Sequence, residues 1–135
     1  MKRIVLVAGI LAFAGSCQTA PERLPLPPIP EDAKTLPYDQ VVLRARLQAT
    51  AANEAFFVNQ WSDLEDAARG LEQAAHFLGK ASDVPAKHKD TLASSADELA
   101  KQATELREAA KNKDVKLTNQ VLQRINLKVR ELHPD

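Results

Sequence analysis

The sequence predicts an all-α fold, an antiparallel up-and-down four-helix bundle, and three observations carry that expectation. Beyond residue 45 alanine is abundant and β-branched residues are sparse, so helix propensity is favourable almost throughout. Apolar residues recur in that stretch three and four positions apart, the period of a buried helix face. The segments so marked are joined by short polar turns, which make consecutive helices antiparallel neighbours. At 135 residues the chain has room for one domain and one modest core once its N-terminal segments are set aside.

Residues 1–16 read as a signal peptide. Met1 to Arg3 is a positive n-region, and Ile4 to Ala14 is an apolar run of 11 residues. The small residues Ala14-Gly15-Ser16 then close on Cys17. An apolar run of that length does not span a hydrocarbon core as a helix, which takes about 20 residues. Small residues just before a cysteine resemble the bacterial lipobox. That resemblance implies a diacylglyceryl group on the Cys17 thiol, cleavage that makes Cys17 the new N-terminus, and a membrane held through lipid. The alternative is ordinary cleavage after Ala12-Phe13-Ala14, which leaves Cys17 a free thiol in a secreted protein. Cys17 is the only cysteine, so no internal disulfide forms, and an unpaired thiol in an oxidising compartment favours lipidation. The non-acidic Gln18 resembles the signal for an outer-membrane destination, facing the periplasm.

Residues 17–37 are the lipidated cysteine and a Pro-rich linker. Six of the eight prolines fall here (Pro21, Pro25, Pro27, Pro28, Pro30, Pro37), a density no helix survives. As an extended polyproline segment rising about 3.1 Å per residue, the linker spaces the domain up to roughly 60 Å from the lipid. Alternatively, Leu24, Leu26 and Ile29 pack back along the domain.

The bundle occupies 38–135. Pro37 stands where helices begin, and Val41, Val42, Ala45, Ala49, Ala52, Ala55 and Phe56 mark a first helix over about 38–58. Ser62 with Glu65 has the spacing of a capping box. Leu64, Ala67, Ala68, Leu71, Ala74, Ala75 and Leu78 carry a second helix over 61–78, with Gly79 as its C-terminal cap. Ser82 or Asp83 with Pro85 opens a third, with Leu92, Ala96, Leu99, Ala103 and Leu106 on its face, closing near Ala110. After the turn Lys111 to Asp114, a fourth carries Leu117, Val121, Leu122, Ile125, Val129 and Leu132 to the C-terminus. The second and fourth helices align at an offset of 54, pairing Trp61 with Val115, Leu71 with Ile125, Ala75 with Val129 and Leu78 with Leu132. Phe56, Phe57 and Trp61 gather at the first turn, either closing the bundle end or forming an exposed aromatic patch for a partner.

Trp61-Ser62-Asp63-Leu64 opening an Ala-Leu helix, Asp83-Val84-Pro85, the turn Lys111 to Asp114 and a last helix ending in His133 together resemble the cytochrome c′-like four-helix bundles. The resemblance spans about 38–133. It implies a haem carried by a Cys-x-x-Cys-His motif on the last helix, with the histidine as iron ligand. Here the five matching residues are Val129-Arg130-Glu131-Leu132-His133. No thiol follows Cys17, so covalent haem attachment is chemically excluded, and the expected cofactor is none. His133 remains the position of a haem ligand for non-covalent binding, although the soluble b-type bundles add a methionine and the only methionine here is Met1.

Little else offers chemistry. His76 and His88 lie on different helices and read as solvated, so no metal site is expected. Asp97, Glu98, Lys101, Glu105, Arg107 and Glu108 read as a charged face laced by salt bridges along one helix. Ser94-Ser95 has no neighbouring base or oxyanion donor, and no catalytic residue is expected. Removing Lys2 and Arg3 with the signal leaves 16 basic residues against 18 acidic, which speaks against a nucleic-acid partner. The sequence thus points to a non-enzymatic, lipid-anchored, haem-free bundle of cytochrome c′-like type, an envelope interaction or structural module with an envelope protein as partner. The alternatives are a redox or gas-binding protein with haem on His133, and a carrier holding a small ligand in an alanine-lined core.

Overall fold

A computed structural model describes residues 28–134. The signal peptide, Cys17 and the linker as far as Pro27 lie outside the described residues. Among the described residues the fold is all-helical: α1 (Tyr38–Phe57), α2 (Trp61–Leu78), the single turn α3 (Ala86–Lys89), α4 (Leu92–Lys111) and α5 (Val115–Glu131). An isolated parallel bridge joins Pro37 to Ser82.

The four long helices pack in a ring, α1 against α2, α2 against α4, α4 against α5 and α5 against α1. Each is amphipathic, because Leu, Val, Ile and Ala occupy the positions that face the centre. Leu64, Leu71, Leu78, Leu99, Leu106, Val121 and Ile125 are fully buried there. Alanines fill the rest of the interior, which lets helix axes approach closely. Neighbours run antiparallel. Tyr38 at the start of α1 meets Leu132 just past α5, and deeper along the same seam Asn53 and Asn126 exchange side-chain amide hydrogen bonds of 3.0 and 3.2 Å. The bundle therefore has a near end, where residues 28–37 arrive beside the C-termini of α2 and α5, and a far end holding the α1–α2 and α4–α5 turns.

Both far-end turns close in the same way. Asn59 (φ 58°) and Lys113 (φ 52°) adopt the left-handed conformation. Paired backbone bonds then run from Gln60 N to Ala55 O and Asn59 N to Phe56 O, and from Asp114 N to Ala109 O and Lys113 N to Ala110 O. This is the Schellman arrangement, in which the chain reverses while satisfying the last carbonyls of the helix. The two turns, Asn59 and Lys113, stand 54 residues apart, the offset at which the second and fourth helices align in sequence.

Several expectations are corrected. Gly79 ends α2 with φ −63°, an ordinary helical value, so the glycine does not supply a left-handed cap. Ser62 is the second residue of α2, the N-cap is Gln60, and no side-chain cap forms; the left-handed Asn59 turns the chain three residues before Ser62. The third helix is not continuous from Pro85. Its first turn, Ala86–Lys89, breaks at Asp90–Thr91 before α4 begins at Leu92. Lys87, His88 and Lys89 would place positive charge at a helix N-terminus, against its dipole. Nor is the linker wholly a spacer: Ile29 and Ala33 pack against the core and Leu36 is buried.

Candidate functional site

The near end is fastened by backbone and aromatic contacts. The Ser82 amide donates to the Leu36 carbonyl (3.0 Å) and the Tyr38 amide to the Ser82 carbonyl (2.9 Å), clasping the linker to the α2–α3 loop. The Tyr38 hydroxyl donates to the Leu132 carbonyl at 2.7 Å. His88 stacks on the Tyr38 ring, with centroids 5.4 Å apart and planes at 24°. Its Nε2 lies 3.0 Å from the His133 carbonyl oxygen. His88 is thus half-buried and structural rather than solvated, a role for which its lack of metal-ligand spacing gave no signal. Tyr38 is the chain's one tyrosine and follows Pro37 directly, yet a hydroxyl does not register in an apolar pattern.

The haem-motif positions separate. Val129 (6% exposed) and Leu132 (2% exposed) face the core, whereas His133 is exposed, beyond the last helical residue. Thioether attachment needs two thiols, and buried aliphatic side chains hold both positions, Val129 in α5 and Leu132 just past it. The residues present therefore do not fit a covalently held haem. His76 is exposed on α2, with Nε2 3.4 Å from Lys80 Nζ and its ring edge-on to Phe77. Among the described residues, no three His, Cys, Asp or Glu side chains gather as a metal site would require. The Ser94 hydroxyl donates to the Thr91 carbonyl at the start of α4. The charges of α4 pair between helices rather than along it: Glu98 with Lys128, Glu105 with Arg124, and Arg107 with Glu72. No described helix is long and apolar enough to cross a membrane.

At the far end the aromatic trio divides. Phe56 and Trp61 meet edge-to-face at 6.0 Å and pack on the core, closing the bundle. Phe57, in contrast, is 87% exposed, and Val58 and Val115 are also exposed. Since α1 neighbours α5, these three apolar side chains share one end. Lys113 and Lys116 flank Val115 and form no ion pair among the described residues. The Asp114 carboxylate is occupied in capping α5, accepting from the Leu117 amide at 2.9 Å. Sequence reasoning found Phe57 but not Val115, which the helical period alone does not distinguish from core.

Compared with protein-family models, curated protein sequences and solved structures, the chain gives no match.

Proposed function

We propose that the chain is a lipid-anchored, haem-free helical bundle of cytochrome c′-like descent that serves as an interaction module of the cell envelope, on the periplasmic face of the outer membrane. The observation that carries this reading is the exposed apolar group Phe57, Val58 and Val115, at the end opposite the arriving linker. Burial of a side chain such as Phe57 is worth about 1.5–3 kcal/mol, so leaving it in water is explained by a surface that covers it. With Lys113 and Lys116 beside it, the complementary surface is an apolar depression on a protein, rimmed by acidic residues. Anchoring is supported by the lipobox-like run ending at Cys17. The cytochrome c′-like descent is supported by the up-and-down helix order and by a histidine, His133, two residues past the last helix.

Two measurements test the proposal. The wild-type chain should incorporate fatty acid and fractionate with membranes, and Cys17→Ser should lose the label; an unlabelled, soluble wild type overturns the anchor. A photo-crosslinking side chain at position 57 should give a discrete adduct in cells that one at the exposed Gln73 does not, and Val115→Asp should abolish it. Equal adducts at both positions overturn the interaction reading.

A further inference from the structure

Five large apolar side chains are notably exposed among the described residues, and they form two groups. Phe57, Val58 and Val115 belong to the far end; Leu43 and Leu127 do not. Leu43 lies on α1 and Leu127 on α5, the two helices of one seam. Each stands three residues before an arginine, Arg46 and Arg130, and so on the same helix face as that arginine.

These two arginines differ from the others in the bundle. Arg69 pairs with Glu65 and Asp66, Arg107 with Glu72, Arg124 with Glu105, and Arg44 also has a partner. Arg46 and Arg130 pair with no carboxylate among the described residues, yet they line the same groove. It has a volume of about 160 Å³, and Ala49 and Thr50 of α1 and Asn126 and Val129 of α5 complete its lining. The Asn53–Asn126 amide pair fixes the register that sets the two guanidinium groups on opposite banks. A second groove, sharing Asn126 and Arg130, continues past Leu127. Two like charges held across a groove without a counter-ion repel each other, and an anion between them relieves that repulsion.

We propose that the α1–α5 seam is a lipid-facing surface, on which Arg46 and Arg130 take the phosphate of an anionic phospholipid headgroup while Leu43 and Leu127 enter the headgroup boundary. Alternation of arginine with exposed leucine on one face is the chemistry of a helix lying in a membrane interface, where apolar burial adds to attraction for anionic lipid. The seam's arginines lie toward the near end of the bundle, where the linker arrives. The inference does not require Cys17 to be acylated.

The test floats the full chain, as wild type and as Cys17→Ser, with vesicles of phosphatidylcholine alone or with added phosphatidylglycerol. The readout is the ratio of lipid concentrations giving half binding. An acyl group or apolar N-terminal segment inserts into both vesicles alike, so the ratio isolates the headgroup preference. Each arginine at an anionic surface contributes about 1 kcal/mol, or about fivefold. Arg46→Gln and Arg130→Gln should therefore each reduce the preference about fivefold, whereas Lys116→Gln, the same charge change at the far end, should leave it. Leu127→Ser should weaken binding to both vesicles without altering the ratio. No preference in either chain, or equal losses with Lys116→Gln, overturns the proposal. Release by inorganic phosphate but not by chloride at matched ionic strength assigns the groove to free phosphate and overturns the lipid source. A wild type without fatty acid would sink the anchor reading while leaving this ratio intact.

Discussion

The Tyr38 hydroxyl donates a 2.7 Å hydrogen bond to the carbonyl oxygen of Leu132, 94 residues away in sequence, and so joins the first residue of α1 to the end of α5. Both residues are buried, and His88 covers the phenol ring. One side chain thus holds the linker, the α2–α3 loop and the C-terminus in register. Tyr38→Phe keeps the ring and its stacking but strands a buried carbonyl, at a cost of about 1–2 kcal/mol. For a domain of this size that lowers Tm by roughly 5–10 °C, measurable by circular dichroism. An unchanged Tm would show that the hydroxyl does not hold the end closed.

The same phenol sets an alkaline limit. Burial pushes its ionisation above the usual 10.0. Hydrogen bonds to Glu131 and Glu98 likewise raise Lys128 above 10.5, outweighing its own burial. In both cases the protonated form is favoured by folding. Their contributions are therefore complete below pH about 10 and are lost as pH rises through the raised values. Stability in urea should stay level between pH 7 and 9 as far as these groups act and fall above 10. Tyr38→Phe combined with Lys128→Met should flatten that fall; an undiminished fall would assign it to other groups.

Burial was the legible part of this sequence. Leu71 and Leu99, placed on internal faces by their spacing, are fully buried, and the second helix has the bounds 61–78 that its pattern indicates. A face repeated over five turns leaves little freedom in the assignment. The turns were less legible because their chemistry is local and degenerate. Gly79 marks a helix end in composition, but its backbone stays helical, whereas Lys113 supplies a left-handed residue that no propensity rule would choose. At the candidate surface, Phe57 was readable as an aromatic beside a turn. The unpaired state of Arg46 and Arg130 was not, since it depends on which helices become neighbours.

Buried polarity offers an opposite-signed prediction. The Thr118 hydroxyl oxygen is buried in α5 without a hydrogen-bond partner among the described residues. Thr118→Val keeps the branched shape and removes a group that had given up water for nothing. We expect a gain of about 1–2 kcal/mol, read as a higher urea midpoint at constant m-value. A loss would show that the hydroxyl is satisfied in solution.

Lys113 and Gly79 hold each other's preferred residue type. Lys113 has φ 52°, a conformation costing an L-residue roughly 1 kcal/mol or more, so Lys113→Gly should stabilise by about 0.5–1 kcal/mol after the added freedom of the unfolded chain is counted. At Gly79, φ is −63° and a Cβ would meet the Ala96 Cβ at 3.6 Å, an ordinary contact. Gly79→Ala should therefore gain about 0.4–1 kcal/mol by restricting the unfolded chain. The sites lie at opposite ends, so the gains should add in the double variant within about 0.5 kcal/mol. Loss of stability in either single variant would contradict the assigned backbone conformation.

The far end separates stability from function most cleanly. Phe57 is 87% exposed and contributes almost no burial to the fold, so Phe57→Ser should change unfolding free energy by no more than about 0.5 kcal/mol. Phe56, one residue earlier, packs on Trp61 and the core, and Phe56→Ser should destabilise measurably by comparison. If the apolar group is a docking surface, Phe57→Ser in a properly folded chain should nevertheless remove most of the partner affinity, as loss of a central aromatic commonly does. The two measurements are unfolding in urea and retention of the crosslink adduct from a probe placed at Val58. A Phe57→Ser chain that is destabilised by 2 kcal/mol or more would mean the side chain is buried in solution. One that is stable and still forms the full adduct would leave Phe57 exposed without a partner there, because a covering surface that tolerates serine gains nothing from the aromatic ring.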